Sequence, residues 1–171
     1  MTKMLTQQGL ISDANVLIDY AKSAPEILRL VSQHIRQLYV ATPILAEVHD
    51  LSTEQVTDLG IEIVEPSLEQ LTEANERRFT ETTISGTDAL CYVMARDHQW
   101  LCLTNDKALR NYCTSCQVKC LWGLEIMIQL VRSGQLTASR AYSTACSIQS
   151  KNRYIKDETV ERLCQKLGLK K

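Results

Sequence analysis

Asp13, Glu47, Asp88 and Asp106 each fall where an apolar run gives way to a turn, or where a helical pattern begins. Carboxylates at such junctions can converge on a cation. Oxygen-only ligands select hard cations, Mg²⁺ or Mn²⁺, over zinc. Carboxylates crowded within a few ångströms repel and raise one another's pKa values, so such a cluster persists mainly with a divalent cation. A cation held this way can activate water for in-line attack on a phosphodiester and neutralise charge building on the phosphate oxygens. Each residue alone reads as an ordinary helix cap or surface carboxylate; their order along the chain gives the combination its weight.

Other residues sit within reach of these four. Asn15, two residues after Asp13, and Thr104, two before Asp106, lie on turns where a polar side chain can orient a carboxylate or a water. Both types also favour turns for purely local reasons. Lys107 and Arg110, on the helix expected after Asp106, are placed to meet substrate phosphates or simply face solvent. Asp19, Asp50, Glu81 and Asp97 are competing acidic residues, and Asp97 closes its helix toward solvent. The spacing Cys113-x₂-Cys116-x₃-Cys120 raises a zinc site. No fourth ligand stands nearby, and Cys120 falls in an expected buried strand where free cysteine is common, so zinc is disfavoured. His34, His49 and His98 are isolated, which removes histidine metal pairs and Cys–His nucleophilic catalysis. Neither a Gly-x-Ser-x-Gly elbow nor a phosphate-binding Gly-x-x-x-x-Gly-Lys-Ser/Thr loop occurs.

Positioning these groups is the task of alternating strands and helices. Apolar runs bounded by turn signals fall at about 9–13, 38–41, 61–64, 101–104 and 118–121, with helical patterns between them, which argues for βαβ units and a parallel sheet. Ligands of such sheets gather at the carboxyl ends of the strands. The first run ends at Asp13 and leads into a helix from near Val16. A crossover helix over Ala24 to Gln37 carries Ile27, Leu28, Leu30, Val31, Ile35 and Leu38 on one face. Thr42-Pro43 reads as a cap and first helical residue, with Glu47 one turn further in. Pro66 stops the third run, and Ser67 caps a helix to about Thr80. Thr87 is the expected cap of a helix over residues 85–97, with Asp88 at its positive end. After Gly123, Leu124 to Val131 reads as a helix buried on several sides. Residues 137–171 form two further helices separated near residues 151–154. In the second, Val160, Leu163, Cys164 and Leu167 make a stripe that Gly168 ends, and this tail is expected to pack within the subunit rather than pair with a second copy.

With 171 residues, 44% of them apolar, the chain suits a single core-forming domain. The expected organisation is an α/β domain over residues 1–134 with a helical extension, 135–171, packed on it. Seven cysteines, an odd number, do not resemble a secreted disulfide framework. Neither an export signal before Asp13 nor an apolar run long enough to span a bilayer is evident, so a reducing cytoplasm is the expected compartment. Charge is uneven: −7 over residues 51–90, with two basic and nine acidic residues, against +7 over 91–171, with thirteen basic and six acidic. The acidic middle suits a metal site and the basic half a phosphate-binding rim, or both are solvated helix faces.

The chain resembles the PIN-domain nucleases. The matching segments are Ser12-Asp13-Ala14-Asn15 after the first strand, Thr42-Pro43-Ile44-Leu45-Ala46-Glu47, Thr87-Asp88-Ala89 opening a helix, and Thr104-Asn105-Asp106 ending a strand, across roughly Gly9 to Arg132. The resemblance implies a three-layer α/β/α sandwich on a five-stranded, mainly parallel sheet. It also implies a Mg²⁺- or Mn²⁺-dependent endoribonuclease with Asp13, Glu47, Asp88 and Asp106 as metal-binding catalytic residues. Many prokaryotic members are toxins neutralised by a small antitoxin, and dimers are frequent, so RNA, an antitoxin and a second copy are the partners it suggests. The long C-terminal extension departs from the most compact toxins. Two rivals remain: a PIN-like module that binds RNA or protein without cutting, and a phosphatase-like hydrolase suggested by Asp13-x-Asn15, in which Asn15 cannot serve as a general acid.

Overall fold

The short apolar runs become the strands of one sheet. The computed structural model describes residues 8–170 and forms β1 (Leu10–Ser12), β2 (Leu38–Ala41), β3 (Glu62–Val64), β4 (Leu101–Leu103) and β5 (Cys120–Leu121). The stretch expected to lack an export signal lies mostly outside the described residues. Spatial order is β3-β2-β1-β4-β5 and every pairing is parallel, so the sheet is wholly rather than mainly parallel. Strands covered on both faces need no polar alternation. Leu10, Ile11, Ser12, Leu101, Cys102 and Leu103 are accordingly all buried.

The helices are α1 (Ala14–Ser23), α2 (Glu26–Leu30), α3 (Thr42–Leu45), α4 (Thr53–Asp58), α5 (Leu68–Thr80), α6 (Gly86–His98), α7 (Lys107–Ser115), α8 (Ile126–Arg132), α9 (Ala138–Lys151) and α10 (Asp157–Lys166). One layer contains α1, α2, α8 and α9, linked by contacts of α1 with α2 and α9 and of α8 with α9, and the other α5, α6 and α7, giving an α/β/α sandwich, with the short α3 touching α6 at the strand ends. Chain direction explains the division. From β1 the chain steps outward to β2 and β3, then crosses back through α5 and α6 to β4. Right-handed crossovers place helices of opposite stepping direction on opposite faces. The reversal leaves a topological switch point between β1 and β4. The helical tail packs on the same body, α9 against α1 and α8, and α10 against α9.

Local differences from the sequence expectations have local causes. Pro25 disfavours helix at Ala24, so α2 starts at Glu26, and its last turn widens into a π-helical turn over Val31–Ile35. Thr42 is already helical, with Ala41 at the N-cap; its hydroxyl bonds Glu65 instead, 2.9 Å away. Glu47 lies in the turn beyond α3, not inside it. Ser85, not Thr87, caps α6 through a reciprocal box with Asp88, as Ser67 and Gln70 do for α5. At the amino end of the central strands, Trp100 is stacked between Tyr39 (4.0 Å) and His98 (4.1 Å). A methyl group on Gly9 would stand 2.6 Å from the Trp100 and Tyr39 rings, so only glycine passes there unshifted.

No helix among the described residues is long and apolar enough to cross a membrane.

Candidate functional site

β1 and β4 flank the switch point, and their carboxyl ends deliver Asp13 and the Thr104–Asp106 turn side by side. The Asp13 amide donates to Leu103 O at 3.1 Å, tying the two strand ends together. Asp13 caps α1 by accepting from Val16 N at 2.9 Å, and Asp106 caps α7 by accepting from Leu109 N at 2.8 Å. Thr104 joins them: its buried hydroxyl donates to the Asp13 carboxylate and accepts the Asp106 amide at 2.9 Å. One side chain thus sets the geometry of two acids.

Asp13 is only 3% exposed. Burial raises its pKa from 3.8 to about 7, against the lowering effect of bonds from Thr104 and Val16, and the charges of Asp88 and Asp106 add to the rise. Asp88, half-buried at the start of α6, is also pushed up, by burial first and then by Asp106. Asp13, Asp88 and Asp106 therefore share one electrostatic neighbourhood. Glu47 is exposed and reaches it through Thr87, whose hydroxyl donates to the Glu47 carboxylate oxygens at 3.1 and 3.3 Å. Glu47 and Thr87 border a separate small cavity of about 310 Å³ with Arg78 on its rim.

Beside Asp106 opens a larger cavity of about 880 Å³ between α1, the start of α7 and the α9–α10 connection. Asn15, Asp19, Asn105, Asp106, Lys107 and Tyr154 are on its walls. Asn15 is exposed there, as is Lys107. Arg110 is not on this wall; it lies half-buried over the Trp122 ring, 3.2 Å from the ring centroid, beside another cavity at β5. Asp19, a competing acid in the sequence, is buried and accepts two bonds from Asn152 Nδ2, at 2.9 and 3.2 Å. Its pKa is raised, chiefly by burial. Asp50 is exposed, and Asp97 is tied up with Arg96 and Gln70.

The donor set fits a hard cation bound partly through water. Among the described residues, no three carboxylates bring oxygens within 4.8 Å of one another, so a direct four-carboxylate cage is not formed. Mg²⁺ commonly uses one or two carboxylates and keeps several waters. Asn105 supports a ligand at this end of the sheet. Both polar atoms of its amide are buried without a well-formed hydrogen bond, although the amide stands near enough to Asp19 to favour that carboxylate's charge. Gly123 presses against it closely enough that a Cβ there would stand 2.7 Å from Asn105 Nδ2. Gly123 is itself fixed by the Tyr20 hydroxyl, which donates to its carbonyl at 2.6 Å.

Sequence reasoning missed Asn105, Asn152 and Tyr154 as parts of this site. Asn105 carried a signal, standing between Thr104 and Asp106 in the one turn already singled out. Asn152 and Tyr154 carried none, because they arrive from a connection more than 130 residues from Asp19. Compared with protein-family models and with curated protein sequences, the chain matches none.

Proposed function

We propose that this chain is a metal-dependent endoribonuclease of the PIN-domain type, cutting RNA at the carboxyl end of β1 and β4. The supporting observation is the buried Asp13, held by Thr104 at the switch point and destabilised as an anion by burial and by Asp88 and Asp106. A carboxylate kept in such surroundings is best relieved by a cation. Mg²⁺ or Mn²⁺ would be held by Asp13 and Asp106, with Asp88 and Glu47 acting through water. The cation would supply Lewis-acid activation of water and of the scissile phosphate.

The protein's own residues do the remainder. Thr104 fixes the Asp13 carboxylate and, through the Asp106 amide, the start of α7. Thr87 restrains Glu47. Lys22, Lys107, Lys151 and Arg153 around the large cavity attract backbone phosphates. Tyr154, 79% exposed on the same rim, offers a stacking face for an unpaired base. Single-stranded RNA is therefore the favoured substrate, in the reducing cytoplasm that seven free cysteines suit. An antitoxin partner and a homodimer belong to the same proposal.

The test compares wild type with Asp13→Asn and Asp106→Asn on mixed structured and single-stranded RNA, with Mg²⁺, Mn²⁺ or EDTA. Both substitutions keep a residue that caps a helix as well as aspartate does, so the fold should survive them. Metal-dependent cleavage lost in both variants is expected. Cleavage that persists in the variants would refute the site, and RNA bound but left intact by wild type would make the chain a binding module.

A further inference from the structure

Four of the seven cysteines meet on the far side of the sheet from the large cavity's α1 wall. β4 and β5 pair with Cys102 opposite Cys120. Partners in register on neighbouring parallel strands project to the same face, about 5 Å apart. Cys113 comes onto that face from α7, and the sulfurs of Cys102, Cys113 and Cys120 lie within 4.8 Å of one another. Cys91 arrives from α6, its Sγ 3.4 Å from that of Cys102. All are free thiols.

From this juxtaposition we infer that Cys102, Cys113 and Cys120 form a structural zinc site joining β4, α7 and β5, with Cys91 of α6, which touches Cys102 but stands outside the three-sulfur group, turning in as the fourth donor. A tetrahedral Zn²⁺ with bonds near 2.3 Å holds its sulfurs about 3.8 Å apart, so the spacing of Cys102, Cys113 and Cys120 already suits three of its corners, and Cys91 must move further to fill the fourth. The set is all sulfur, which suits zinc and not the hard cations proposed for the acidic site. Cys116, the residue that made the local sequence spacing suggestive, is not in the group. The ligands come from four separate elements, and strand register brings two of them together.

Two further features suit the site. Arg110, stacked on Trp122, has a buried Nε without a hydrogen-bond partner and lines the same cavity as Cys120. It therefore offsets the negative charge that a zinc–thiolate group carries. Cys120 is half-buried and borders an open cavity of about 730 Å³ shared with Arg110 and Trp122, which gives metal a way in. β5 is only two residues long, and a metal there would anchor an otherwise weakly held edge strand.

The experiment titrates reduced full-length protein anaerobically with Co²⁺ and then Zn²⁺. Carboxylate sites give no thiolate-to-cobalt charge transfer, so the signal is independent of the proposed nuclease site. Wild type should show that absorption at one equivalent, lose it to one equivalent of Zn²⁺, and melt at higher temperature with zinc bound. Cys120→Ser, at the half-buried edge position, should lower zinc affinity by more than the roughly 10–100-fold seen when only a supporting group is lost. Cys116→Ser should leave affinity unchanged, and Cys113→Ser provides a second test if circular dichroism shows it folded. Folded wild type with no thiolate–cobalt absorption would overturn the proposal, as would undiminished absorption in Cys120→Ser.

Discussion

Replacing Asp13 by Asn should stabilise the metal-free protein at alkaline pH and destabilise it in acid. In the fold the Asp13 pKa rises from 3.8 to about 7, chiefly through burial. Stability from the protonated carboxyl is fully present below pH 3.8 and is lost as pH rises through about 7, because over that window the native state binds the proton more tightly than the unfolded chain does. Three units at about 1.4 kcal/mol each set a ceiling near 4 kcal/mol for the loss. Asn is neutral throughout and avoids it. Its carbonyl can still accept from Val16 N, but its amide cannot accept the Thr104 proton, which costs about 1–2 kcal/mol. The balance at pH 8 is a gain of about 2–3 kcal/mol, or roughly 5–10 °C in Tm for a chain of this size. Near pH 4 only the hydrogen-bond loss remains, and the variant should melt below wild type. Urea unfolding and thermal melts in EDTA at pH 4, 6 and 8 would trace the crossing. Millimolar Mg²⁺ or Mn²⁺ should then raise the Tm of wild type alone. If the variant is less stable than wild type by the same amount at all three pH values, Asp13 is not a carboxylate whose charge is disfavoured by burial.

Other expectations follow from single contacts. Thr104→Val keeps the shape but removes the donor to Asp13 and the acceptor for the Asp106 amide; a stability loss of about 1–3 kcal/mol and loss of RNA cleavage should appear in denaturant titration and gel assays. Tyr154→Ala leaves an exposed position, so Tm should hold while affinity for single-stranded RNA, read by fluorescence anisotropy, falls roughly 5- to 150-fold from lost stacking. Asn152→Ala removes the two Asn152 bonds to the buried Asp19 and pushes its already raised pKa further up. The resulting destabilisation, about 1–3 kcal/mol, should therefore grow as pH rises above 4. Gly9→Ala drives a methyl into the Trp100–Tyr39 stack and should cost about 1–3 kcal/mol by overpacking, visible as a lower urea midpoint.

What could be read from the sequence was what a few consecutive residues decide. The five apolar runs became the five strands, and Ser67 capped α5 through Thr80 as its Ser-x-x-Gln spacing required. Gly168, with φ of 72°, ended α10 where the stripe stops. The acidic residues at strand ends were legible for the same reason, since the chain direction at each strand end is a local matter. Asp88 shows where that reasoning loses resolution: Ser85 and Thr87 both precede it, and only the reciprocal bond to the Ser85 amide at 2.9 Å decides between them.

Contacts between distant segments were not legible, and both candidate sites depend on them. The Cys113-x₂-Cys116-x₃-Cys120 spacing names two of the three clustered sulfurs and one, Cys116, that lies outside the cluster, because a helix-to-strand spacing says nothing about which residue of β4 lies opposite Cys120. A one-residue slip in that register would turn Cys102 to the other face of the sheet. The wall of the large cavity depends similarly on how α9 settles against α1, which brings Asn152 to Asp19. The tail's apolar stripe indicated that it would pack somewhere. It gave no sign that the α9–α10 connection would carry Arg153 and Tyr154 to the rim beside Asp106. The basic half of the chain and the acidic strand ends are brought together there by tertiary packing, so a substitution that loosens α9 from α1 should weaken RNA binding without touching any carboxylate.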